Sequence, residues 1–159
     1  MRGGARIGCA ALLSLSAVAG CGGSSDTTTA PGALSAPAPL AKAEFIREAN
    51  QICISSESRI EAAADEYATQ KHPPSRAKVA AVGRGVVVPA LETEVQAIEA
   101  LGEPASGAGQ VRQILAMTKK GIAAVKSDPG SLLEGPPKEL NQANVLARRF
   151  GASECGIRR

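Results

Sequence analysis

The sequence predicts an all-α domain, an up-down-up-down four-helix bundle whose second helix kinks at Pro89, standing behind a leader and a disordered tether. Three observations carry that expectation. From Leu40 onward apolar residues recur at steps of three and four. Proline and glycine clusters cut that pattern into four stretches. Only three aromatic residues, Phe45, Tyr67 and Phe150, occur in 159, which disfavours the aromatic and β-branched strands of a sandwich. The length fits one small domain.

Residues 1–20 read as a signal peptide. Arg2 and Arg6 supply a positive start, and Ile7 to Val18 is an apolar run broken only by small residues and serines. That run is too short to span a bilayer, which needs about 20 apolar residues. It ends in Val18-Ala19-Gly20-Cys21, which resembles the lipobox of bacterial lipoproteins. The resemblance implies that the Cys21 thiol takes a diacylglycerol and that a peptidase cuts before it. Small Ala19 and Gly20 suit such a cleft, and only cysteine offers the thiol. Each buried CH₂ adds about 0.8 kcal/mol, so two or three chains make the attachment durable.

Residues 21–39 then read as a lipid-anchored flexible tether. From Gly22 to Pro39 the composition is Gly/Ser/Thr/Ala/Pro with Asp26 the only charge, too little apolar surface to fold. Treated as a coil it spans on the order of 25 Å. Of 18 basic residues, losing Arg2 and Arg6 leaves 16 against 15 acidic ones, a net charge of +1. That near-neutral chain gives no electrostatic footprint for nucleic acid, and the scarcity of aromatics removes a base-stacking platform. The expected partners are the membrane, through Cys21, and an unidentified envelope protein or small ligand.

The helical domain is expected over residues 40–159. Phe45, Ala49, Ile52, Ser56, Ile60, Ala63 and Tyr67 form one face of a first helix, about residues 41–70. Pro73-Pro74 ends it, and Ser75 is placed to cap the next. The second helix, about 76–101, uses Val79, Val82, Val86, Ala90 or Leu91, Val95, Ile98 and Leu101. Pro89 within it removes a hydrogen bond and crowds the carbonyl of Gly85, so a kink is expected near 85–89. The Val86-Val87-Val88 run also permits a strand, for which no partner strand is visible. Gly102-Glu103-Pro104 turns the chain into a third helix, about 106–127, on Val111, Ile114, Leu115, Thr118, Ile122 and Val125. Asp128-Pro129-Gly130 breaks it before a short turn through Leu132-Leu133. A fourth helix, about 138–150, uses Leu140, Ala143, Ala147 and Phe150, and Gly151 suits a left-handed cap. Short breaks between four amphipathic helices give the bundle.

Cys9 leaves with the leader and Cys21 goes to lipid, so Cys53 and Cys155 remain. Outside the cytoplasm such a pair points to a disulfide. In the bundle the last helix ends beside the start of the first, which puts Phe45 near Phe150 and brings Cys155 back toward Cys53. A redox-active pair is usually close in sequence, and a metal site wants three or four ligands where His72 is the sole imidazole.

Phe45-Ile46-Arg47-Glu48-Ala49-Asn50-Gln51-Ile52-Cys53 looks like an F-x-x-x-A-N-x-I-C motif, and Ala147-Arg148-Arg149-Phe150-Gly151 with Cys155-Gly156 looks like a matching ending. With the lipobox they resemble small helical lipoproteins of high-GC Gram-positive bacteria (actinobacteria). The resemblance implies a disulfide and an extracytoplasmic, membrane-anchored location, and it implies no activity.

No catalytic set, cofactor site or metal site is expected. His72 reads as a solvated helix end. Glu61, Asp65 and Glu66, and Glu92, Glu94 and Glu99, read as solvated faces rather than acid–base pairs. Ser55, Ser56 and Ser153 have no base near them in sequence. Gly83-Arg84-Gly85 and Gly107-Ala108-Gly109 are too short to cradle a phosphate. Arg148, Arg149, Arg158 and Arg159 are ordinary helix-end cations or headgroup contacts. Asn50 flanks the stripe of the first helix and is the one polar residue singled out, for a ligand or for carbonyls at the end of the fourth helix. The expected function is a lipid-anchored binding or interaction module, with a structural spacer as the alternative and an enzyme disfavoured.

Overall fold

In the computed structural model the described residues are 38–68 and 72–156. The expected leader, the expected lipidation site Cys21, nearly all of the expected tether and Arg158-Arg159 lie outside them, as does the side chain of Tyr67. The described chain falls in one unit, Pro37–Arg159. It is a helical bundle, with no strand among the described residues.

Helix α1 covers Lys42–Ala68. Its buried face is Phe45, Ala49, Cys53 and Ser56, the i, i+4, i+8, i+11 positions of a helix stripe. Helix α2, Arg76–Val82, starts at Ser75, whose Oγ accepts from the Lys78 N–H at 3.3 Å. Such a cap satisfies a donor that the first turn leaves free. A π-helical segment, Gly83–Val87, follows, and α3 runs Val88–Ala100. Together α2, the π segment and α3 form one uninterrupted helical stretch, so the bundle has four helical arms. Val86, Val87 and Val88 are therefore helical.

The π segment sits where the proline rule points. Pro89 has no N–H, so the backbone before it must redistribute its hydrogen bonds. The Val88 N–H reaches the Gly83 carbonyl, one residue further back than in an α-helix. Gly83 also packs closely: a Cβ there would stand 2.9 Å from Pro129 Cβ. Pro129 opens a 3₁₀ turn, Pro129–Leu133. Arg76 ties that turn down by pairing with Asp128 and with Glu134 at 3.3 Å. These exposed pairs orient the turn more than they stabilise it.

Helix α4 covers Ala108–Ser127 and α5 covers Lys138–Phe150. On α4, Val111, Thr118, Ile122 and Val125 are buried; on α5, Leu140, Ala143, Ala147 and Phe150. Gly121 lets α4 and α5 close on each other, since a Cβ there would lie 2.4 Å from the Leu140 side chain. Glu92 pairs with Lys126, and Glu99 with Lys119, both at 2.6 Å, along α3 and α4. Gly151 ends α5 with φ 112, the left-handed cap its sequence position called for.

The core is two clusters. One gathers Phe45, Ala49, Cys53, Ile98, Val111, Ala147, Phe150 and Ala152. The other gathers Val88, Val95, Ile122, Val125 and Leu140. In the first, Phe45 and Phe150 meet edge to face at 6.2 Å, an arrangement that aromatic quadrupoles favour. Lys42 Nζ lies 4.6 Å from the Phe150 centroid.

Two glycines separate packing from backbone freedom. Gly121→Ala is expected to lower stability by about 1–3 kcal/mol, because Leu140 and the α5 backbone must shift. A methyl group at Gly85 would meet nothing within 4 Å, so Gly85→Ala is expected to raise stability by about 0.4–1 kcal/mol through the unfolded chain. Urea midpoints of the two variants against the parent check both signs.

Candidate functional site

The site begins with what the small side chains leave unfilled. Ala49, Ala143 and Ala147 occupy positions where larger residues would meet across the bundle. Between α1 on one side and α3, α4 and α5 on the other lies a cavity of about 500 Å³. This falls in the ~300–1,000 Å³ range of small-molecule sites. Its wall is mostly aliphatic, with Ile60, Val79, Leu91, Val95, Ile114 and Leu115 representative. One end is bounded by Phe45, Phe150 and the bonded cysteines; toward the other end lie Ala64 and Pro74.

Polar groups interrupt this wall at Ser56, Glu57 and Glu61 on α1, Glu94 on α3, Thr118 on α4, and Asn144 and Glu154 near the disulfide. Thr118 Oγ1 donates to the Ile114 carbonyl at 3.0 Å, so its demand is met within its own helix. Ser56 is 2 % exposed, and its Oγ has no partner meeting hydrogen-bond geometry. A buried hydroxyl left so costs about 1–3 kcal/mol. Glu94 reaches the same region from α3. Burial pushes its carboxyl above the usual carboxylate range; the neighbouring Ser56 hydroxyl pulls it back, and the Glu57 charge raises it further. Ser56 and Glu94 also border a second, shallower cleft of about 300 Å³ between α1 and α3, lined by Gln51, Arg59 and Thr93 among others.

Glu94 is the correction here. Grouped with Glu92 and Glu99 it was expected on a solvated face. Glu92 and Glu99 do carry lysine partners, but Glu94 is turned inward. The signal was present: Leu91, Glu94, Val95 and Ile98 share one helical stripe, and Ser56 lies within the apolar stripe of α1. A carboxylate on such a stripe is either buried or placed at an opening. What no spacing shows is that the two stripes face each other at these residues.

Cys53 and Cys155 are joined by a disulfide, with their Cα atoms 4.9 Å apart and 102 residues between them in sequence. Asn50 lies one turn from it. Its Oδ1 accepts from the Glu154 N–H at 3.1 Å. The expected partners were carbonyls at the end of the fourth helix. Instead the tail turns back at Gly151 and presents an N–H to Asn50, while the last α5 carbonyls bond the N–H groups of Gly151 and Ala152. Asn50 thus fastens the tail to α1 and does not line the cavity. His72, Arg148 and Arg149 are exposed. Ser153 lies outside the cavity wall, and its hydroxyl faces Glu154 at 3.3 Å. No cluster of three metal-ligating side chains occurs among the described residues.

The large apolar side chains left exposed are Ile54, Leu133 and Val145. They stand on three different elements, so the described surface offers less to a partner than the interior does. No helix among the described residues is long and apolar enough to cross a membrane.

No family model, curated protein or solved structure matches this chain.

Two measurements follow from this geometry. Glu94 is more easily protonated folded than unfolded, so between the ordinary carboxylate value and its raised folded value the folded state holds more protons than the unfolded one. The protein should therefore lose stability as pH rises from that range through the raised folded value, and keep that loss at neutral pH. Glu94→Gln should stabilise the neutral protein and flatten that limb, as thermal unfolding between pH 4 and 8, about the range concerned, would record. Replacing Cys53 and Cys155 by alanine opens a loop of about 100 residues, a loss of up to about 4.7 kcal/mol in the chain-entropy treatment. The parent's denaturant midpoint should fall on adding reductant to about that of the double variant, whose own midpoint should not respond to reductant.

Proposed function

We propose that this protein is a lipid-anchored extracytoplasmic binding protein whose helical domain holds a small, largely apolar ligand. The cavity carries this reading. A bundle of this size has little reason to keep about 500 Å³ of apolar interior unfilled, because voids forfeit dispersion contacts and lower stability. A buried hydroxyl with no partner in hydrogen-bond geometry beside a half-buried carboxyl adds to the cost and is compensated by a ligand that bonds them.

The rest of the reading places that site. Cys21 carries the lipid, residues 1–20 are removed, and residues 21–39 lift the domain from the outer face of the membrane. The sequence resemblance to small actinobacterial lipoproteins supports this placement. The four arms alternate up and down, and the second bends at the π segment before Pro89. The order of the Glu92–Lys126 and Glu99–Lys119 pairs, rising on α3 as it falls on α4, supports that alternation. The domain binds rather than transforms its ligand: Ser56 has no imidazole beside it, since His72 is exposed beyond the end of α1, and nucleophilic catalysis needs an activated hydroxyl.

Native mass spectrometry of the protein gently extracted from its own membranes tests both halves. The expected species begins at Cys21, carries acyl chains, and holds one additional small molecule. A mass retaining Met1 to Gly20 without lipid overturns the anchor. A lipidated chain with no added mass replaces the binding reading with that of an envelope spacer. Cys21→Ser is expected to move the protein from the membrane fraction to the soluble one, as fractionation and blotting would show.

A further inference from the structure

Resting on that binding reading, we propose that the ligand is a single-chain amphiphile with an uncharged polyol head, of the monoacylglycerol class. Its chain fills the cavity beside α4 and α5, and its hydroxyls meet Ser56 and Glu94 between α1 and α3.

Four observations point to this chemistry. The cavity wall is aliphatic over most of its extent, which suits a hydrocarbon chain and offers few hydrogen bonds to a polar ring. Most of the polar wall stands together, Ser56, Glu57 and Glu61 on α1 facing Glu94 on α3, while Thr118 is bonded within its own helix and Asn144 and Glu154 lie toward the disulfide end; Ser56 and Glu94 also border the α1–α3 cleft. A molecule spanning both spaces is therefore apolar at one end and polar at the other. The polar end meets the Ser56 hydroxyl, which is 2 % exposed, stands beside Glu94 with no partner in full hydrogen-bond geometry, and both donates and accepts. It also meets a carboxyl with Glu57 nearby, and Arg59 at the cleft's edge. A carboxylate or phosphate head would place a further negative charge against Glu94 and Glu57 in a desolvated setting, which is costly. An ammonium head would set a cation near Arg59. A head of neighbouring hydroxyls donates to Glu94, exchanges hydrogen bonds with Ser56, and meets neither charge with its like.

The test uses the full lipidated chain in nanodiscs. The probe is a monoacylglycerol whose acyl chain ends in a photoreactive diazirine. After irradiation, labelled peptides are mapped by mass spectrometry. Competition is run with 1-monolauroylglycerol, laurate and dodecylamine, which share a chain and differ in the head. Labels are expected on cavity residues of α4 and α5, displaced about tenfold more readily by 1-monolauroylglycerol than by the charged analogues, the difference of one or two hydrogen bonds to a buried group. Ser56→Val combined with Glu94→Gln is expected to erase that preference while thermal unfolding shows a folded protein. A second variant, Leu115→Phe, narrows the cavity without touching the polar pair and is expected to lower labelling with every head.

Cavity labelling displaced equally by laurate or dodecylamine overturns the head-group assignment and leaves the binding reading standing. The same follows if the double variant keeps the wild-type preference. Labelling confined to residues outside the cavity, or unchanged in Leu115→Phe, overturns both.

Discussion

One fastening governs this domain: α1 is joined to the chain's far end at Phe45, Asn50 and Cys53. There an edge-to-face ring pair, a side-chain hydrogen bond and a disulfide act within two turns of helix. The contacts are non-local, tying residues about 100 apart. They fix how α1 stands relative to α5 irrespective of what fills the space beyond. In a core this poor in aromatics, dispersion alone would not hold the separation. A covalent link and two rings let the bundle keep its shape around a cavity.

The cavity then follows from residue size. Along α1 the stripe passes from Phe45 to Ala49, Cys53 and Ser56, and along α5 from Phe150 back to Ala147 and Ala143. Both faces narrow to small residues next to the fastened end, before Ile60 on α1 and Leu140 on α5 restore large side chains. Small side chains usually draw helices together, as Gly121 does for α4 and α5. Here α1 is held along α3, and the α4–α5 pair is held by its own close approach. The two sets of contacts are each satisfied, and the space between them is what remains. Leaving Ser56 and Glu94 within that space is unfavourable for folding by itself, which is the pattern expected where a binding site is retained at the expense of stability.

The π segment and the 3₁₀ turn complete the frame. Pro89 cannot donate, so the ladder before it widens; Gly83 then packs on Pro129, and Arg76 closes over the turn. These features set where Leu91 and Glu94 emerge on α3. A shift of one residue in the backbone rotates the following stripe by about 100°, the angle per residue of a helix. The irregular segment is therefore part of what points Glu94 inward.

Much of this was legible without coordinates. Although buried Cys53 and Val88 lay outside the expected stripes, the four helical arms, their ends at Pro73-Pro74, Gly102 to Pro104 and Gly135 to Pro137, the Ser75 and Gly151 caps and the whole α5 stripe follow from periodicity and local backbone chemistry. These are interactions within a few residues, so the sequence states them directly. The pairing of Cys53 with Cys155 was inferable once Cys9 was assigned to the expected leader and Cys21 to the expected lipid, because the two thiols left allow one intramolecular bridge. The inward turn of Glu94, the unpartnered Ser56 hydroxyl, the N–H that Asn50 accepts and the cavity itself were decided by tertiary structure. Each depends on the distance and rotation between helices, which non-local contacts set. A stripe names the face of a helix that is buried; it does not say whether the opposing face arrives close enough to fill the space between.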